Sequence, residues 1–157
     1  MSGARIKGEL QFPDYSQAER RADAVVHCIG VPLGVVAAIW LVARVAALGQ
    51  PVMLAGVVIY GLGIVGMLGA SAAYQMTRPG LLKERLRRVD RAMIFVMIAG
   101  TYTPISATVL FGRHGLWLCG LLWGLAGIGI FLTLKFPRRF ERAILGLYLA
   151  MGWMLVV

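Results

Sequence analysis

The sequence predicts an all-α, polytopic integral membrane helix bundle. Three observations carry this reading. The 157 residues are 59% hydrophobic and only 15% charged, against roughly a quarter charged in an ordinary soluble domain. Mean hydropathy is +0.78. Apolar runs of about 20 residues, the length a helix needs to cross a bilayer, recur along the chain, and the basic residues alternate between the segments that join them. A disordered chain, a coiled coil and an ordinary soluble globule are excluded. Nucleic acid is not expected as a partner despite the net charge of +9, because of where that charge sits.

Residues 1–24 are polar and read as a cytoplasmic N-terminal segment. Pro13 and Asp14 suggest a turn before a helix that starts near Ser16. Residues 25–157 read as the transmembrane domain. The first apolar run extends from Val25 to Leu48, the second from Val52 to Tyr74, the third from Ala92 to Phe111 and the fourth from Gly115 to Leu134. A fifth, Ala143 to Val157, is too short at about 1.5 Å per residue to cross a core about 30 Å thick. The expectation is four full spans plus an incomplete fifth, in a chain that has been cut short. None of the runs alternates with period two, so helices rather than β-strands satisfy the backbone in lipid.

Fourteen of the sixteen lysines and arginines fall in the N-terminal segment, the second loop and the fourth loop; only Arg44 and Arg113 lie on the other side. The positive-inside rule then places the N-terminus in the cytoplasm, and a multi-pass protein of the bacterial inner membrane is expected. With that topology, polar groups from three spans fall at one depth near the cytoplasmic face. These are His27 on the first span, Ser71 and Gln75 on the second and Asp90 at the start of the third. Ser71 and Gln75, four apart, share a helix face. Each also has a structural reading. His27 would touch headgroups or a backbone carbonyl, Ser71 would bond back to the preceding turn, and Asp90 would cap the third span or pair with Arg87.

Pro104 lacks the N–H that the Gly100 carbonyl needs, so Gly100 and Pro104 mark an expected helix kink, with the Thr101 and Thr103 hydroxyls available to freed backbone groups. Gly120 and Gly124, extended by Gly127, and the Gly66, Gly69, Ala70 and Ala73 face are expected to pack inside the bundle; a homo-oligomer through such a face stays open. Cys28 and Cys119 lie near opposite faces, too far apart for a disulfide, and are expected as packing residues.

Four stretches together resemble the hemolysin III family, the bacterial branch of the superfamily that includes the progestin and adiponectin receptors. They are E-R-R-A-D-A-V-V-H-C-I-G at 19–30, S-A-A-Y-Q at 71–75, R-V-D-R-A-M-I-F-V-M-I-A-G-T-Y-T-P at 88–104 and Y-L-A-M-G-W at 148–153. The resemblance implies a seven-helix fold, of which this chain would match five. It also implies a zinc site near the cytoplasmic face, built on a histidine after S-x-x-Y and an H-x-x-x-H pair, with the serine and aspartate matching Ser71 and Asp90. Here Gln75 occupies the position of that first histidine, Arg91 follows Asp90, and no H-x-x-x-H is present. No metal and no cofactor are therefore expected for this chain, although zinc belongs to the full-length family.

The resemblance and the residues lead to a truncated or metal-site-degenerate homologue that binds a lipid or small amphiphile at the cytoplasmic face. Membrane lipids, and anionic headgroups at the second loop, are the expected partners. A zinc-dependent hydrolase of lipid amides would need ligands from outside this chain, so the chain as given is not expected to act as one. A pore-forming hemolysin would need a water-lined path, and the five apolar runs carry no polar stripe.

Overall fold

The computed structural model describes residues 16–108, 113–136 and 141–154, and these form five α-helices in an all-α bundle. They are α1 (Gln17–Ala46), α2 (Pro51–Met76), α3 (Leu81–Thr108), α4 (Arg113–Lys135) and α5 (Glu141–Trp153). The expected Pro13–Asp14 turn lies outside the described residues, as do Phe111, Arg138, Arg139 and Val157.

Local chemistry sets the helix ends. Ser16 caps α1 in a capping box: its hydroxyl accepts from the Glu19 amide at 3.2 Å, and the Glu19 carboxylate accepts from the Ser16 amide at 2.7 Å. Two orphan donors are thereby satisfied. Residues 17–24 consequently continue α1 instead of forming a separate segment. The turn into α2 relies on Gly49, whose φ of +66° is a left-handed conformation that a side chain resists, and Pro51 opens α2 at a position that needs no N–H.

Helix α3 begins at Leu81, well before the third apolar run at Ala92. The intervening residues are rich in Leu, Lys, Glu and Arg, good helix formers. The charges from Lys83 to Arg91, read as a loop, therefore stand on the first three turns of a helix. Three helical stretches are long and apolar enough to cross a membrane by length and composition: α1, α2 and His114–Lys135 of α4. In α3 the charged first turns leave a shorter apolar part.

Helix α3 is the hub. It packs against α2, α4 and α5, whereas α1 packs on α2. The core lies among α3, α4 and α5, where Phe95, Leu122 and Met151 are fully buried and Ala99, Tyr102, Ala126 and Ile144 surround them. The Phe95 and Tyr148 rings meet at 4.3 Å between centroids. A Cβ at Gly129 would overlap the Phe95 ring, so only glycine admits the phenylalanine there. The Tyr102 hydroxyl lies 3.0 Å from both the Met151 and Gly152 carbonyls, near the end of α5. The Trp123 indole N–H donates to Thr103 Oγ1 at 3.1 Å and joins α4 to α3.

Helix α3 runs through Pro104 as helix. The Thr101 and Thr103 hydroxyls donate to the Met97 and Ala99 carbonyls at 2.8 and 2.9 Å, and not to the Gly100 carbonyl. Gly56 of α2 lies against the proline: a Cβ there would stand 2.9 Å from Pro104 Cα and 3.1 Å from its nitrogen. A second proline, Pro32, lies inside α1 and deprives the Cys28 carbonyl of its helical donor.

Two expectations about small residues change. Among the described residues nothing lies within 4 Å of the Cβ positions that Gly120, Gly124 and Gly127 would carry, so this face does not pack against the described part of the bundle. Helix α4 turns Gly115, Leu122, Ala126, Gly129 and Thr133 inward, and the glycine stripe lies on the other side. On α2, Gly66 does meet Met93 of α3, but Gly69 meets nothing among the described residues. The close approaches fall at Gly56, Gly61 and Gly63, against Pro104, Ala38 and Met97. Cys28 is exposed and Cys119 half-buried, both free, so Cys28 is not a packing residue.

These contacts make opposite predictions for two glycines. Gly56→Ala forces a methyl into the Pro104 backbone and should cost about 1–3 kcal/mol. Gly120→Ala meets open space and should be neutral or stabilising by up to about 1 kcal/mol through helix propensity. Denaturation of the protein in detergent micelles, followed by helical circular dichroism, checks both. Equal effects would contradict the assigned packing.

Candidate functional site

Three helices bring polar side chains together at the end of the bundle that carries the basic first turns of α3. Helix α1 supplies His27, α2 supplies Ser71 and α3 supplies Asp90, each half-buried. His27 Nε2 lies 3.2 Å from Ser71 Oγ, and His27 Nδ1 lies 2.7 Å from the Asp23 carbonyl oxygen. A carbonyl only accepts, so Nδ1 carries a proton, and Nε2 faces the serine hydroxyl. The Asp90 carboxylate accepts from the same Ser71 hydroxyl and has the His27 ring and the Arg91 guanidinium nearby.

The structural readings of these residues fare differently. His27 does hold a backbone carbonyl, that of Asp23. Ser71 meets His27 across the helix interface. Asp90 lies nine residues into α3 and is no cap, and Arg87 pairs instead with Glu84 at 2.9 Å. The Gln75 side chain is not hydrogen-bonded to the three. It shares a face of α2 with Ser71 but forms no hydrogen bond among the described residues; its backbone carbonyl accepts from Lys83 at 3.4 Å.

Two residues around this end are missed by reading charge alone. Lys83 and Glu84 are both buried. The Lys83 ammonium donates to the Thr77 carbonyl at 3.0 Å as well as to Gln75, and lies 4.9 Å from the centre of the Tyr74 ring. It thus places a cation on the carbonyl end of α2, where the helix dipole is negative. Glu84 holds Arg87 and, at 3.6 Å, Arg88. The signal for the second pair is legible in hindsight, since Glu84, Arg87 and Arg88 stand three and four apart. The signal for Lys83 is the tight T-R-P-G connection, which folds α3 back over the end of α2. On the other flank, the Tyr148 hydroxyl donates to the Arg91 carbonyl at 2.7 Å and fixes α5 beside the cluster.

A zinc ion of the kind the resemblance implies would need three protein ligands drawn from imidazole, thiolate and carboxylate. Here both His27 nitrogens are engaged, Asp90 is a single carboxylate, and Gln75 offers a neutral amide. Among the described residues, no three His, Cys, Asp or Glu stand close enough together to hold a metal ion. The donor set of this cluster does not fit zinc.

Long apolar helices with a polar cluster at one end define a multi-pass helical membrane protein. Residues 16–157 match the family profile described as Haemolysin-III related, and the chain belongs to that family. It is 32% identical over 139 residues to the hemolysin-3 homolog of Bacillus subtilis, an alignment covering 88% of this chain and 65% of the relative. It is 30% identical over 139 residues to hemolysin-3 of Bacillus cereus, covering 88% and 64%. The chain thus spans just under two thirds of the length of these curated relatives. No solved structure matches it.

Proposed function

We propose that this protein binds a lipid or other small amphiphile at the cytoplasmic face of the bacterial inner membrane, with its N-terminus in the cytoplasm and without a bound metal. The convergence of His27, Ser71 and Asp90 from three helices carries the proposal. Polar groups near lipid are costly unless partnered or used, and these three lie half-buried beside the outward face of α1. There Val26 and Ile29, which flank His27, are 64% and 56% exposed. A headgroup at the cluster would leave its chains along this apolar surface. The basic first turns of α3 add a field for anionic headgroups, at about 1 kcal/mol per lysine or arginine near the surface.

Two experiments test the two parts. In vesicles holding a photoactivatable anionic phospholipid, adducts should map to peptides containing His27, Ser71 or the start of α3. Arg85→Gln, at an exposed position, should lower the yield about fivefold, the equivalent of about 1 kcal/mol. Adducts spread evenly over all helices, with no effect of Arg85→Gln, would oppose the binding site. Orientation is read with single cysteines replacing Arg85 or His114 in a background carrying Cys28→Ser and Cys119→Ala. In intact cells an impermeant maleimide should label the cysteine at position 114 and spare the one at position 85. Equal labelling would remove the shared cytoplasmic depth.

A further inference from the structure

We propose that Ser71 is a nucleophile and His27 its general base, forming a metal-free acyl-transfer site that cleaves a carboxylic ester of a membrane amphiphile. If, as proposed above, an amphiphile sits at this cluster, this is the chemistry the cluster performs on it. An activated nucleophile needs a base within hydrogen-bond reach and a third group that orients the base. Both conditions are met. Ser71 Oγ and His27 Nε2 are 3.2 Å apart, and the Asp23 carbonyl holds Nδ1 at 2.7 Å. That second bond holds a proton on Nδ1, so in the neutral ring Nε2 is the nitrogen that takes the serine proton. It comes from the same helix as the ring, four residues away, so the orientation is built into α1.

The surrounding residues supply the other requirements. The Ser71 hydroxyl lies between the Asp90 carboxylate and His27 Nε2; its proton turns from the carboxylate to the imidazole for attack, and the negative charge left on Asp90 favours the imidazolium that forms. The Gln75 amide stands one turn along α2 on the face of Ser71 and is bonded to nothing among the described residues. Its N–H groups are available to an oxygen that becomes negative beside Ser71, the role of an oxyanion donor. The site also lies at the end of the apolar stretches, beside exposed Val26, Ile29 and Met76. This is the depth at which an amphiphile carries the ester between its chain and its headgroup.

The steps balance. Ser71 Oγ bonds to the ester carbonyl carbon as its proton passes to His27 Nε2, and the carbonyl oxygen takes the negative charge. The carbon–alkoxy bond then breaks, and His27 returns the proton to the departing alcohol, leaving an acyl group on Ser71. Water, giving its proton to the same Nε2, attacks that acyl ester; the carboxylic acid leaves and Ser71 regains its proton.

The full chain, purified in lipid–detergent bicelles, is treated with a fluorophosphonate probe and with p-nitrophenyl decanoate. Phosphonylation should map to Ser71 and approach one per chain, and ester turnover should be unaffected by a zinc chelator. Ser71→Ala and Ser71→Cys should both lose the label, and the cysteine variant keeps a polar side chain if alanine disturbs folding. His27→Ala should slow labelling at least a hundredfold, and Gln75→Ala should slow turnover about tenfold or more. Helical circular dichroism establishes that each variant is folded. The photoactivatable lipid separates the two proposals. Adducts at the cluster without any Ser71 label would overturn the nucleophile and leave amphiphile binding standing. Ser71-dependent label without lipid adducts would leave the nucleophile standing and overturn the amphiphile. Equal labelling of wild type and Ser71→Ala would overturn the nucleophile outright.

Discussion

The arrangement depends on how closely α2 lets its neighbours approach. In lipid the hydrophobic effect does not drive helix against helix, so packing and interhelical hydrogen bonds decide the association. Helix α2 presents Gly61 to Ala38 of α1, with 3.4 Å between the alanine Cβ and the Cβ that Gly61 lacks. On other sides it presents Gly56, Gly63 and Gly66 to α3. The same helix thereby fixes both neighbours. About three turns along from the Gly61–Ala38 contact, the antiparallel pair delivers His27 to Ser71 within hydrogen-bond distance, and α3 delivers Asp90 to the same hydroxyl. A polar cluster assembled from three helices is only as well defined as those two interfaces.

The ends of the helices at this cluster are held by charges whose work is structural. Lys83 is buried on the carbonyl end of α2, and Glu84 gathers Arg87 and Arg88. Basic residues here therefore divide into two kinds. Some satisfy carbonyls and carboxylates within the fold, and others, such as exposed Arg85, face outward. Counting them together as a single patch overstates what is available to a headgroup. For the chemistry of the cluster, the decisive detail is that the His27 ring is bonded on both nitrogens, one side to a carbonyl and the other to a hydroxyl. That geometry suits proton transfer with a serine and is poor for holding a metal ion.

Much of the architecture is legible in the sequence, for identifiable reasons. Length and apolarity mark α1, α2 and α4 directly, and Ser16 with Glu19 spells the start of α1. The start of α3 is not legible from hydropathy, because the residues from Leu81 to Arg91 continue a helix while leaving the apolar pattern. Depth is countable along each run, so His27, Ser71 and Asp90 can be set at one level before any coordinates. Which way each faces is not countable, and Gln75, at a similar depth, is bonded to none of the three. Small residues mislead in the same way. Glycine at i and i+4 permits close approach without stating that a partner is there, and the Gly120–Gly124 stripe lies open while Gly129, on the other side of α4, takes the Phe95 ring.

The pairing of α1 with α2 is the contact that everything at the cluster inherits, and it is measurable without reference to activity. With Cys28→Ser and Cys119→Ala as background, Ala38→Cys and Gly61→Cys place two thiols on carbons about 3.4 Å apart, close to the Cβ separation of a disulfide. Mild oxidation of the membrane-embedded protein should join them rapidly within one chain, detected as a bridged peptide pair after proteolysis. Failure of the bridge to form, while both thiols react with a small alkylating reagent, would mean that α1 does not lie on α2 in this register. His27 would then not meet Ser71.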